Sequence, residues 1–191
     1  MCKTRQIRDF DKPVEIDETY VGGKEKNKHK NKRTSGSQGR STKTKTPVIG
    51  IIERGGKVYA LPVKKTDANT VKKLVDETIE KGVKVYTDEW RAYNALNENY
   101  DRQVVKHGAG EYVRGEVHTN NIENFWSHFK RGIVGTYFHT SDEHLGGYVN
   151  EFTFRFNTRH LTEGSRFDIT LANSQKTLSY EQLIARRSKA S

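Results

Sequence analysis

A single cysteine, Cys2, stands in 191 residues. One thiol cannot close an intramolecular disulfide or build a thiolate zinc site, so neither kind of cross-link can stabilise the fold. Long apolar runs are missing too. No segment approaches the roughly 20 apolar residues that a membrane-spanning helix needs, and the opening Met1-Cys2-Lys3-Thr4-Arg5 has no apolar signal-peptide core. These absences point to the cytoplasm. Hydrophobic residues supply only 32% of the chain and mean hydropathy is -0.90, which implies a small core, a very polar surface and at least one unfolded segment. The length suits one ordinary domain with a tail or two.

Acidic residues are also scarce. Asp and Glu number 24 against 34 Lys and Arg, giving a net charge of +10 and a pI of about 9.6, which favours a polyanionic partner. Much of the excess is local: Lys24, Lys26, Lys28, Lys30, Lys32, Arg33, Arg40, Lys43 and Lys45 face only Glu25 within one stretch. From Lys24 to Thr46 there is no apolar period, so residues 24–46 read as a basic mobile loop, either a solvated insertion or a DNA contact.

The patterned stretches surround this loop. Val14-Glu15-Ile16-Asp17-Glu18-Thr19-Tyr20-Val21 alternates as a strand, after a lead-in over residues 1–13 that ends at Pro13. Its three carboxylates would repel at roughly 4 kcal/mol per pair at 4 Å and an effective dielectric near 20, unless splayed or neutralised. Two apolar runs, Pro47 to Glu53 and Lys57 to Val63, flank Arg54-Gly55-Gly56 as a β-hairpin. A helix follows, capped by Thr66 or Asp67, with Val71, Leu74, Val75 and Ile79 inward and Gly82 at its end. Val83-Lys84-Val85-Tyr86-Thr87 then reads as a buried strand stopping at Asp88, with Trp90 to Leu96 as its crossover helix, and Asp101 to Lys106 as a last, weaker strand.

The order β-β-β-α-β-α-β followed by helices predicts a mixed five-stranded sheet flanked by helices, an α/β layer architecture. After a polar loop from His107 to His118, Ile122, Phe125, Trp126, Phe129 and Ile133 mark an amphipathic helix with an aromatic face. Thr140-Ser141-Asp142-Glu143 resembles a capping box opening another helix, with Leu145, Tyr148, Val149, Phe152 and Phe156 inward. On its outer side Glu151, Arg155 and Arg159 read as a salt-bridged stripe. Beyond Leu161 the signal weakens, and residues 161–191 read as a tail with a short helix over Tyr180 to Arg187.

Asp88 at a strand's carboxyl end occupies the edge where open α/β sheets do chemistry. The first strand of such a meander neighbours the crossover strand and brings Asp17 alongside. Glu123 lies one step off the aromatic face of its helix and stands at the rim facing the strand ends, with Lys130 two turns on along the same side. Converging carboxylates need hard cations among them, and Mg²⁺ held by a few carboxylates, water and phosphate oxygens fits. Competing assignments stay open on the residues alone. Glu15 and Glu18 rival Asp17; Asn120, Asn121 and Asn124 rival Glu123; Asp88 can serve as a helix cap, and Glu123 can close a capping box with Thr119 or Asn120. His107, His118, His139 and His144 lack metal-site spacing and read as surface or phosphate contacts, and Trp90 and Trp126 as core.

The blocks Ile16-Asp17-Glu18-Thr19-Tyr20-Val21-Gly22-Gly23, Tyr86-Thr87-Asp88, His118-Thr119-Asn120-Asn121-Ile122-Glu123-Asn124-Phe125-Trp126-Ser127, Lys130-Arg131-Gly132 and Gly135-Thr136-Tyr137 come in an order that resembles the catalytic domain of bacterial insertion-sequence DDE transposases of the ISXO kind. The resemblance covers residues 14–160. It implies a ribonuclease-H-like fold, two Mg²⁺ or Mn²⁺ ions, cleavage at transposon ends by water, and attack of the freed 3′-hydroxyl on target DNA. It makes Asp17, Asp88 and Glu123 the metal ligands and Lys130, with Arg131, a DNA contact beside them. It also implies work at the nucleoid, as a homo-oligomer on DNA. The family's amino-terminal zinc-binding module and helix-turn-helix have no counterpart here, so independent recognition of element ends is not expected. The rival readings are a nuclease of the same fold without strand transfer and a DNA-binding remnant.

Overall fold

The computed structural model describes residues 10–23, 29–35, 41–110 and 113–174. Strands β1 (Val14–Val21), β2 (Thr46–Glu53) and β3 (Val58–Pro62) are followed by helix α1 (Ala68–Thr78), strands β4 (Lys84–Thr87) and β5 (Asp101–Val104), and helices α2 (Asn120–Gly132), α3 (Asp142–Asn157) and α4 (Glu163–Ala172). The strands form one sheet in the order β3-β2-β1-β4-β5. The β1, β2 and β3 pairs are antiparallel, whereas β4 runs parallel to both β1 and β5. This is the mixed α/β sheet that the sequence predicts, in a ribonuclease-H-like arrangement.

Because successive side chains of a strand point to opposite faces, β1 serves two cores at once. Val14 and Ile16 join Ile49, Ile51, the α1 residues Val71, Leu74 and Val75, and Tyr93 and Leu96 on one face. On the other, Val21, Val48, Ile52, Val58 and Ala60 meet Ile122, Phe125, Trp126 and Phe129 of α2 and Leu145 and Val149 of α3. Burying each such side chain is worth roughly 1.5–3 kcal/mol relative to exposure. The hairpin turns at Gly55, whose φ of 71° is a left-handed conformation that glycine adopts without strain. At the start of α1 the Asp67 carboxylate accepts from the Thr70 amide at 2.8 Å.

Five local expectations change. Trp90 to Leu96 is not a crossover α-helix: Arg91–Leu96 is a 3-10 helix, its buried Tyr93 and Leu96 three residues apart as that tighter repeat requires. The chain turns both before it, where the Asp88 carboxylate holds the Trp90 amide, and after it at Asn97, leaving no length for an α-helix. The first strand, the hairpin and β4 keep their predicted places, but β5 ends at Val104 and α1 ends at Thr78, ahead of Gly82. Helix α3 starts where the capping box places it, yet Ser141 makes no side-chain bond to the helix; Asp142 and Glu143 still lie against its positive end. Arg155 pairs with Glu151 at 2.7 Å, but Arg159 lies past the helix end, where it donates to the Gly56 carbonyl and stacks over the Phe156 ring.

Helix α4 falls where the sequence signal is weak. Thr162 caps it by accepting from the Ser165 amide, and it buries none of its residues. Of the basic segment, Lys30–Lys32 forms a 3-10 turn, Thr46 already belongs to β2, and Lys28 and Arg40, like Lys24 and Lys26, lie outside the described residues. The helix expected over Tyr180 to Arg187 lies outside them as well. Among the described residues, no helix is long and apolar enough to cross a membrane.

Candidate active site

Alternation within β1 divides its three acids between the two faces of the sheet. Glu15 and Asp17 project to the α2 face and Glu18 to the α1 face. Glu18 is buried there and accepts from the Tyr93 hydroxyl at 2.7 Å. Burial first, then the charges of Glu18 and Asp17, hold the Tyr93 hydroxyl well above the usual phenol range, so it stays a donor.

Glu15 is completely buried, and its partners explain why a carboxylate is tolerated there. Its Oε2 accepts from the backbone amides of Asn121 at 2.9 Å and Ile122 at 3.2 Å, and its Oε1 from the Asn121 side-chain amide at 2.7 Å. Arg54 donates to Oε1 from Nε at 3.1 Å, and His118 Nδ1 lies 3.2 Å from the same oxygen. The same arginine donates to the His118 carbonyl and lies 4.0 Å over the Tyr86 ring. Glu15 is therefore the anion at the positive end of α2, fixing that helix to the centre of the sheet.

With Glu15 and Glu18 engaged in this way, Asp17 is the β1 acid that opens onto the strand ends. It lines a cleft of about 550 Å³ together with Asp88, Glu89, Trp90, Arg91, His107, Thr119 and Glu123. The three acids singled out from the sequence thus share one concavity. Trp126 is buried as expected; Trp90 packs against the α1-side core as expected but is only half-buried and also lines this cleft. Asp88 follows the last residue of β4, and its Oδ1 accepts from the Trp90 amide at 2.9 Å. This is the bond of an Asx turn; Trp90 is the residue that caps the 3-10 helix. Glu123 is half-exposed, and its Oε1 accepts from the Thr119 hydroxyl at 2.8 Å with His107 Nε2 at 3.5 Å. No backbone amide closes a capping box with the Thr119 side chain.

Burial, aided by the charges of Glu18, Asp88 and Glu123, pushes the Asp17 carboxyl up to about 8. Three further carboxylates act on one desolvated acid, an imbalance that a divalent cation would relieve, and all the donors are the hard oxygens that Mg²⁺ prefers. Among the described residues no three His, Cys, Asp or Glu side chains already stand at metal-ligand spacing.

Two histidines expected at the surface are in fact drawn to acids, His107 to Glu123 and His118 to Glu15. No spacing in the sequence signals either pairing. Glu89, Arg91 and Thr119 are cleft residues that sequence reasoning also missed. Lys130 and Arg131 are exposed on the last turn of α2, and neither lines the cleft. Of the basic segment, Lys43 and Lys45 line a separate groove of about 570 Å³ with Lys64, Asp142 and Glu143, and Lys30, Lys32 and Arg33 are exposed.

Comparison with known proteins places this geometry in a lineage. Residues 10–157 match the model of the ISXO2-like transposase domain. A protein of transposable element ISH50 from Halobacterium salinarum is 34% identical over 152 residues, covering 75% of this chain and 51% of its own length. A transposase-like protein of Haemophilus influenzae is 27% identical over 106 residues, covering 55% of this chain and 85% of its own. The chain thus spans about half the length of the Halobacterium relative. On the family match and the ISH50 relative, the chain belongs to the ISXO2-like transposase domain family of insertion sequences.

Proposed function

We propose that this domain cleaves DNA at the ends of an insertion sequence and joins the freed 3′-hydroxyl to target DNA, with Asp17, Asp88 and Glu123 as the acids that hold the catalytic cations. The observation that carries the proposal is the single cleft lined by these three acids, which come from β1, the end of β4 and α2. Two Mg²⁺ or Mn²⁺ ions bound there would activate the attacking oxygen and steady the leaving one in an in-line displacement. The chain's own residues do the rest. Glu15 anchors α2 so that Glu123 overlooks the strand ends, the Asx turn orients Asp88, and Asp17 supplies the desolvated carboxylate at the cleft floor.

DNA is the substrate that the family membership and the net charge of +10 favour. Lys130 and Arg131, two turns from Glu123, and the exposed Lys30, Lys32, Arg33 and Lys43, with the half-buried Lys45, would take phosphates outside the cleft. We assign Lys28 and Arg40 the same role from the sequence. A homo-oligomer bridging two element ends at the nucleoid completes the reading.

The test uses duplex oligonucleotides carrying the DNA that flanks the gene. Asp88→Asn is expected to abolish Mg²⁺-dependent joining of 3′-ends to a second duplex while leaving DNA binding intact. Undiminished joining by the variant would refute the assignment. Release of ends without joining by the unaltered chain would favour the nuclease.

A further inference from the structure

Glu89 follows Asp88 at the mouth of the cleft, and its Oε1 accepts from the backbone amide of Gly108 at 2.7 Å. A β-carbon at position 108 would stand 2.6 Å from that oxygen, so any larger residue there would push the carboxylate end aside. Gly108 is the middle of a 3-10 turn, His107–Ala109, and His107 is its first residue. From that turn the imidazole reaches across to α2: its Nε2 lies 3.3 Å from Thr119 Oγ1 and 3.5 Å from Glu123 Oε1. Thr119 is itself buried and donates to the same Glu123 oxygen. A continuous set of contacts therefore runs from the residue beside one cleft acid to the carboxylate of another, through a backbone amide and an imidazole.

We propose that Glu89 is a positioning residue: by holding the Gly108 amide it seats His107 against Glu123, and so sets the third acid of the cleft relative to Asp88. Glu123 alone is a half-exposed side chain at a helix rim with several rotamers open to it. Thr119 restrains it from its own helix, and the clasp restrains it from the β4 side. What that geometry serves, metal binding by the cleft, rests on the function proposed above; the clasp itself does not.

The role depends on Glu89 as a hydrogen-bond acceptor and not on its charge, which separates it from a further metal ligand. Glu89→Gln keeps an acceptor oxygen and removes the charge; Glu89→Ala removes both. Gly108→Ala displaces the carboxylate from the other side. Mn²⁺ binding, followed by electron paramagnetic resonance on the full chain, is expected to weaken about tenfold in Glu89→Ala and in Gly108→Ala, as for other residues that orient a ligand from behind. It should stay within about twofold of the original in Glu89→Gln. Because both damaging variants break one contact, Gly108→Ala is expected to add nothing in the Glu89→Ala background.

Two readouts need neither metal nor DNA. Amide exchange at Gly108 should accelerate in Glu89→Ala and not in Glu89→Gln, and the carbon-13 shift of the His107 ring should move in the first variant alone. Equal damage from Gln and Ala would make Glu89 a ligand and overturn the proposal. So would additive effects of the two damaging variants, or unchanged Gly108 exchange in Glu89→Ala. If the unaltered chain bound no Mn²⁺, the metal reading of the cleft would fall, while the exchange and ring-shift results would still decide the clasp.

Discussion

The Trp126 indole rests on the backbone of Gly50, where a β-carbon would meet its Cζ2 at 2.5 Å. Gly50 is also the register partner of Asp17 across β1 and β2. The contact therefore sets how closely α2 approaches the sheet at the level of the cleft acids. Gly50→Ala is expected to push α2 outward and cost about 1–3 kcal/mol, the usual range for overpacking a core. Gly50→Val should cost more. Urea denaturation checks the stability, and Mn²⁺ affinity should fall in step with it; a neutral Gly50→Val would show that the helix is not seated by this contact.

Glu15 supports a prediction of opposite character, because here a charge is removed. Glu15→Ala leaves Arg54 without its buried partner and two amides of α2 without an acceptor, and loss of one member of a buried pair costs about 3–5 kcal/mol. Glu15→Gln, which keeps an acceptor, should be milder. Thermal melts of the two variants would read this directly, and an alanine variant as stable as the original would contradict the anchoring role.

Asp17 makes stability depend on pH. Its carboxyl is raised from 3.8 to about 8, so the proton it retains stabilises the fold; that contribution is complete below 3.8 and is lost as pH climbs through about 8. Without divalent ions, Asp17→Asn should therefore gain Tm over the original chain as pH rises across this window. Adding Mg²⁺ near pH 8 should raise the Tm of the original and leave the variant unmoved. A Tm difference that ignores both pH and Mg²⁺ would mean that Asp17 carries no such strain.

The basic segment predicts a salt effect. If Lys30, Lys32 and Arg33 each neutralise a phosphate, replacing all three by alanine should flatten the plot of log affinity for duplex DNA against log salt by roughly 0.9 for each phosphate no longer neutralised. Filter binding over a salt series gives the slope, and an unaltered slope would assign these side chains to solvent.

Much of this fold is legible in the sequence because it is written in local signals: the alternation of β1, the Gly-Gly hairpin, and the three- and four-residue steps of α1 and α2. Asp17, Asp88 and Glu123 are legible as candidates from the strand ends and the helix rim, but only the ordered blocks around them choose them over rivals such as Glu15 and Glu18. What separates the three β1 acids is contact with residues far along the chain, Arg54, Tyr93, Asn121 and Ile122. The same reason hides His107 and Glu89, whose partners lie 12 and 19 residues away in loops. Helix α4 escapes for a different cause: Phe167 and Leu171 stay 66% and 59% exposed, so no buried stripe stands out from its polar neighbours.

The bond from Glu15 to the Asn121 amide spans 106 residues. During synthesis, the acid in the first strand leaves the ribosome long before the helix that satisfies it. Until then the acid of the central strand can meet Arg54 but not the helix amides that complete its shell, and the cleft lacks one wall. On the function proposed above, a chain ending ahead of α2 would hold two of the three acids without the third, so the chemistry would arrive as a late, all-or-nothing event.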